Sequence, residues 1–179
     1  IAEGGVDRSQ GSRIADQAHT GKYSLLVGTG ATGFKYKLGN NKTDLSKKYR
    51  ASVWVYAPGN AETQTELNKI ELYYSTNNNP ETKVHATLQK NKSKSWYLLN
   101  LDIDPAGASE VSIGVRNNSV RGVYFDDFRV HPLDGAMTSY VYDPVTDDLT
   151  YILDAKNFYT RFEYDAMGRL IRTSKELLN

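Results

Sequence analysis

Tyr49-Arg50-Ala51-Ser52-Val53-Trp54-Val55-Tyr56-Ala57 decides the fold class. The stretch is rich in β-branched and aromatic residues, and Pro58-Gly59-Asn60 ends it. Ala51, Val53 and Val55 fall on one face and Ser52, Trp54 and Tyr56 on the other, a period of two. The same signal recurs on both sides. Residues 22–28 and 33–38 precede it, the second closed by Gly39-Asn40-Asn41. Residues 69–75, 84–88, 95–103, 110–116 and 122–131 follow it. Asn77-Asn78-Asn79-Pro80, Asp104-Pro105-Ala106-Gly107 and Asn117-Asn118-Ser119 are turn signals between them. Residues 1–20 read as loop or weak edge structure, and residues 61–68 hold at most a minor helix. Many short strands joined by tight turns predict an all-β chain, an antiparallel jelly-roll β-sandwich.

The 179 residues allow one full domain, or one domain with a small appendage. The net charge of +1 argues against a generally basic nucleic-acid binder and against an acidic disordered tail. No apolar run approaches the roughly 20 residues of a membrane-spanning helix. Without cysteine, there are no disulfides, no thiolate-bound zinc and no thiol chemistry. His19, His85 and His131 are far apart, which leaves zinc hydrolysis and a Ser-His-Asp arrangement with little support. The chain opens at Ile1 with neither an initiator methionine nor a signal-peptide pattern, so the expectation is a processed product or part of a longer chain.

The composition shifts after Pro132. Tyr142-Asp143 and Tyr164-Asp165 form a near-repeat, each followed by a polar turn and a leucine, Leu149 and Leu170. Asp154-Ala155-Lys156-Asn157 is a further turn between them. The segment reads as a train of β-hairpins that must stack on neighbours to bury a face. The expected division is therefore a jelly roll over residues 1–133 and a hairpin region over residues 134–179.

Phe162-Glu163-Tyr164-Asp165-Ala166-Met167-Gly168-Arg169-Leu170, together with Tyr142-Asp143-Pro144 and Asp154, resembles the YD repeats of the RHS family. The first copy departs from the pattern, with Asp147-Asp148 where Gly-Arg is expected and one extra residue. The earlier block is similar to carbohydrate-binding-module and galactose-binding-like jelly rolls of secreted bacterial proteins. Its marks are Ala18-His19-Thr20-Gly21-Lys22-Tyr23-Ser24-Leu25, then Ser52-Val53-Trp54-Val55, then Val123-Tyr124-Phe125-Asp126-Asp127-Phe128-Arg129-Val130. The resemblance implies a large surface protein of Bacteroidota-type bacteria, extracellular or at the cell surface, with adhesion or structural spacing as its role. Type IX secretion components are the implied export partners. It also implies a structural calcium on Asp126 or Asp127, Glu3, and backbone oxygens near His19 and Gly21.

The residues themselves leave two kinds of site to consider. Asp126 shares a strand with apolar neighbours, read here as one face with Tyr124, Phe128 and Val130, and a buried carboxylate needs a partner. That partner is either a cation or an ion pair. Trp54, Tyr56, Tyr73 and Trp96 are candidate sugar platforms, because aromatic rings stack on the apolar faces of pyranoses. Core packing is the competing reading for both tryptophans. Tyr73 and Arg116 lie opposite the apolar faces of their strands, which marks them as exposed candidates. Asp102, Asp104, Asp147 and Asp148 sit at turns, where aspartates serve the backbone, so no paired catalytic carboxylates stand out. The expected function is a non-catalytic fragment of a surface protein that acts in adhesion or as a glycan-binding module. The alternatives are a carbohydrate-binding module attached to an enzyme and the shell of a polymorphic toxin.

Overall fold

A computed structural model describes residues 6–7, 10–39, 43–59, 62–77, 80–88 and 96–177. Ten strands build two antiparallel sheets. The first sheet runs β1(Val6–Asp7), β4(Ala31–Leu38), β9(Val111–Asn117), β6(Ile70–Thr76), β7(Thr82–Val84) in spatial order. The second runs β2(Gly11–Ile14), β3(Ser24–Val27), β10(Val123–Pro132), β5(Tyr49–Tyr56), β8(Trp96–Ile103). Their facing residues form one core: Ala51, Val53 and Val55 of β5 meet Ile70 and Leu72 of β6 and Ile113 and Val115 of β9. The sequence period of two thus translates directly into an inner face. A single turn of helix, α1(Gln64–Leu67), starts where the Thr63 hydroxyl accepts the Glu66 N–H at 3.2 Å and ends by burying Leu67. Among the described residues, no helix is long and apolar enough to cross a membrane.

The expected sandwich is present, with one adjustment. Within residues 1–20, read as loop or weak edge structure, β1 and β2 are the edge strands of the two sheets. The strand expected over residues 84–88 is β7, Thr82–Val84, and residues 85–88 lie outside it.

The face assignment of β10 requires correction. Asp127 takes a left-handed φ of +48°, and the register with β5 jumps between Asp126 and Arg129. This β-bulge resets the alternation. Tyr124, Asp126 and Arg129 stand opposite Tyr56, Trp54 and Ser52 on the outer face, while Val130 pairs with Ala51 on the inner side. Phe128 also turns inward, 4.4 Å from Phe34 of the opposite sheet, measured between ring centroids. Asp126 therefore does not share a face with Phe128 and Val130.

A third sheet follows: β11(Ser139–Tyr142), β12(Leu149–Leu153), β13(Tyr159–Tyr164) and β14(Leu170–Lys175), a simple antiparallel meander. Each of its turns begins at an aspartate. The carboxylate of Asp143 accepts the N–H groups of Val145 and Thr146, that of Asp154 those of Lys156 and Phe158, and that of Asp165 those of Met167 and Arg169. Each turn also contains one residue at positive φ: Asp147 at +63°, Asn157 at +70° and Gly168 at +75°. Only Gly, and to a lesser degree Asn and Asp, enter that region cheaply, which explains the residue types at these turns.

In the first sheet, the side chain of Tyr73 lies across Gly114. A Cβ on Gly114 would meet the Tyr73 hydroxyl at 2.6 Å and the Phe34 carbonyl oxygen at 2.9 Å. Gly114→Ala is therefore expected to destabilise the protein by about 1–3 kcal/mol through overpacking. Thermal or denaturant unfolding checks this, and an unchanged midpoint would show that Tyr73 moves aside freely.

Candidate functional site

The outer face of the second sheet carries the polar and aromatic residues of interest, and the meander covers part of it. The turn Asp154–Phe158 provides the contact. Asn157 is 1% exposed. Its backbone carbonyl accepts the Trp54 indole N–H at 2.7 Å. Its carboxamide nitrogen donates to the Asp127 carbonyl at 3.0 Å and to the Ser52 hydroxyl at 3.3 Å, and its Oδ1 accepts from the Arg129 guanidinium at 3.1 Å. Arg129 also donates to the carbonyls of Asp154, at 2.6 Å, and Met137, at 2.5 Å. Phe158 packs edge-on against Trp54, with ring centroids 5.6 Å apart. The bulge at Asp127 supplies one of these acceptors, so an irregularity of the sandwich and a turn of the meander fit together.

A second contact lies beside it. The His19 ring stacks on Trp54 at 4.2 Å and 18°, and meets Trp96 and Tyr159 edge-on at 5.4 and 5.2 Å. Its Nδ1 lies 2.7 Å from Asp127 Oδ2 and its Nε2 lies 3.0 Å from Glu176 Oε1. Burial disfavours the charged imidazole and is the largest single influence. The hydrogen bonds to Asp127 and Glu176 and their charges together outweigh it, and the His19 pKa is pushed up to about 9. A cationic ring over the Trp54 face gains further from the indole quadrupole. Asp126 is pushed upward, by burial first and then by the adjacent Asp127 charge.

Asp126 and Asp127 bind protein donors on all four oxygens. Asp126 Oδ2 accepts the N–H groups of His19 and Thr20, and its Oδ1 accepts the N–H of Asp127. Asp127 accepts from the Thr20 hydroxyl at 2.7 Å on one oxygen and faces His19 on the other. Calcium takes six to eight oxygen ligands. Here every oxygen of the two carboxylates faces a protein donor, an N–H group, the Thr20 hydroxyl or the His19 ring, whereas a calcium site gathers oxygen acceptors. Among the described residues, no group of three or more His, Asp or Glu side chains forms a metal site. Gly21 turns the chain at φ +64° beside Val141, and Glu3 lies outside the described residues.

The aromatic candidates separate by position along β5. Trp54 is 4% exposed beneath the meander and offers no open face. Tyr56, the next outward residue of that strand, is half-buried and lies beyond the cover. It pairs across strands with Trp96 on one side and Tyr124 on the other. The ring centroids are 5.5 and 5.7 Å apart, with tilts of 37° and 50°. Trp96, Tyr56 and Tyr124 thus form a partly open, twisted aromatic strip over three strands, bordered by His19. Arg121, exposed in the turn before β10, reaches to Gly59 at the end of β5. Tyr124 was missed in the sequence because its partner strand was unknown. Its position two residues before Asp126, on the same outward face, was the available signal.

Tyr73 and Arg116 do sit together on the outer face of the first sheet, but not as exposed groups. Arg116 covers the Tyr73 ring at 4.3 Å, and Tyr73 is 4% exposed. Arg116 is held by Glu71 at 2.9 Å and Glu81 at 3.1 Å, and Lys83 binds Glu71 at 2.6 Å. The face expected to display Tyr73 is closed by this ion-pair network.

No family model and no curated protein matches the sequence. Among solved structures, carbohydrate-binding modules recur. The CBM22-1 xylan-binding domain from Paenibacillus barcinonensis Xyn10C shares 18% identity, with 76% of this chain and 86% of that chain covered at a TM-score of 0.47. A CBM 22 xylan-binding domain shares 16%, over 76% and 92%, at 0.49. A GH115 4-O-methyl-α-glucuronidase, BtGH115A, shares 8%, over 71% of this chain and 17% of that chain, at 0.50. At such identities the likeness is one of fold alone.

Two outcomes follow from this geometry. Asn157→Gly keeps the left-handed turn but leaves buried partners unsatisfied, costing about 1–3 kcal/mol. Asn157→Ala adds the αL strain of roughly 1–2 kcal/mol and should be the less stable of the two by denaturant unfolding. Equal stabilities would show that the turn relaxes. The folded pKa of His19 lies above the ordinary 6.5, so its contribution is complete below about pH 6.5 and is lost as pH rises through about 9. The charged groups facing it are Asp127 from β10 and Glu176 after β14, with Asp126 beside its backbone. The melting temperature should fall between pH 6.5 and 9, and His19→Gln should flatten that slope. A slope that survives in His19→Gln assigns it to other groups.

Proposed function

We propose that the chain is a non-catalytic glycan-binding module, with the Trp96–Tyr56–Tyr124 strip as its binding surface. The observation that carries this reading is the strip itself: three adjacent rings, on rigid strands, left partly open where the meander ends. Sugar rings present C–H faces that stack on such aromatics, while flanking polar groups such as Arg121 meet the hydroxyls. Half-burial helps, because the rings are held in place before a ligand arrives and little side-chain entropy is lost on binding.

A second reading, that the module serves adhesion or spacing within a longer secreted RHS-type surface protein, is supported by the Tyr-Asp hairpins at Tyr142-Asp143 and Tyr164-Asp165. In that reading, type IX export components are partners and the location is extracellular or at the cell surface. The two readings are compatible, since a surface protein can display a glycan-binding strip.

The test is isothermal titration or affinity electrophoresis of the full chain against a panel of soluble plant and bacterial polysaccharides. Tyr56→Ala is expected to weaken binding about tenfold or more, equivalent to at least about 1.4 kcal/mol. Arg116→Gln, on the opposite sheet, is expected to leave it unchanged. No binding to any member of the panel by the folded chain removes the glycan reading and leaves the spacer role. Binding lost in Arg116→Gln but kept in Tyr56→Ala moves the site to the Tyr73 face.

A further inference from the structure

Below Phe125 the second sheet is split. β3 pairs with β10 only at Val123, Tyr124 and Phe125, and the bulge then turns β10 away. The meander passes over this gap without filling it. A cavity of about 350 Å³ remains between β3, the bulge and β11. Its floor is apolar, with Leu25, Val53, Phe125 and Phe128. Its mouth is set by Arg13 and Tyr140, both exposed, while Val53 and Phe125 are buried.

The charged groups around this space are unequal in availability. Asp126 and Asp127 are committed to N–H groups, the Thr20 hydroxyl and His19. The terminal nitrogens of Arg129 are committed to Asp154, Asn157 and Met137, and its Nε is buried without a partner among the described residues. Arg13 is exposed at the mouth. Its guanidinium carbon lies 3.7 Å from the centroid of the Tyr23 ring, and among the described residues no hydrogen bond or ion pair engages its donors. A planar guanidinium in this position presents its fork to a carboxylate. The volume, near the lower end of the roughly 300–1,000 Å³ usual for ligand pockets, fits one ring rather than a chain.

We propose that this cavity binds a single ring-bearing carboxylate, with the ring against the Leu25, Phe125 and Phe128 floor and the carboxylate on Arg13 at the mouth. Such a ligand is either a uronic-acid sugar or an apolar cyclic acid. The shared chemistry is an anion attached to a compact ring. The site is separate from the aromatic strip, so the two stand or fall independently.

The test is an amide NMR titration of the full chain with glucuronate, cyclohexanecarboxylate and glucose in turn. At least one carboxylate should saturably shift the amides of Tyr23, Asp127 and Tyr140, and its identity distinguishes sugar acid from apolar acid. Glucose should leave those amides in place. Arg13→Gln should weaken the carboxylate at least about tenfold, the scale of a charge-assisted hydrogen bond, while Tyr56→Ala leaves it unchanged. Val141→Phe, which narrows the cavity from the meander side, should abolish binding in a protein whose melt shows it folded. Failure of both carboxylates to shift these amides overturns the proposal. So does binding that is untouched by Arg13→Gln and Val141→Phe.

Discussion

The carboxamide of Asn157 joins two structures that would otherwise present incompatible surfaces to water. On one side is the outer face of the second sandwich sheet, with the Trp54 indole N–H, the Arg129 guanidinium and the bulged carbonyl of Asp127. On the other is a four-stranded meander whose last strand, β14, is exposed along its whole length, so that it has little apolar face of its own to bury. One side chain in a left-handed turn satisfies Ser52, Asp127 and Arg129, while its own carbonyl takes Trp54. Buried polar groups are costly unless paired, so this fit decides whether the two parts behave as one body. The His19 clasp to Asp127 and Glu176 closes the same seam from its edge.

The seam also sorts the surface. Along β5, Trp54 is covered and Tyr56 is open, although the two share a face and differ by one step of the pleat. Covering Trp54 turns an exposed aromatic into a docking anchor, and what remains outside is the Tyr56 row with Trp96 and Tyr124. On the opposite sheet, Arg116 performs a similar covering of Tyr73, held by Glu71 and Glu81. The accessible aromatic surface is thus a consequence of packing and ion pairing, not of aromatic content.

Much of the sandwich was legible in the sequence because alternation on a two-residue period needs no partner to be recognised. The strands at residues 49–57, 69–75 and 110–116 each have one wholly apolar face, and these faces form the core. The bulge at Asp127 was not legible. A positive φ at an aspartate leaves no mark on hydrophobic alternation, and the continuous pattern from Tyr124 to Val130 concealed a reversal of face. The cover over Trp54 was hidden for a different reason: it depends on a turn 103 residues away in sequence. A faint trace existed in Asp154-Ala155-Lys156-Asn157, where the left-handed position carries Asn while the equivalent position of the last turn carries Gly168. An Asn placed where Gly is easier points to a working side chain, and here it is the buried one. Tyr73 was misjudged because alternation predicts which way a side chain points, not whether a long neighbour such as Arg116 lies over it.

Native-state hydrogen exchange tests most directly whether the seam makes one cooperative unit. The amides of β12 and β13, on either side of the Asn157 turn, should exchange with the same opening free energy as the core amides of β5, and all should weaken together in Asn157→Gly. Meander amides that open at a much lower free energy than β5, and do not respond to Asn157→Gly, would contradict the account and leave the hairpins as a loosely attached appendage.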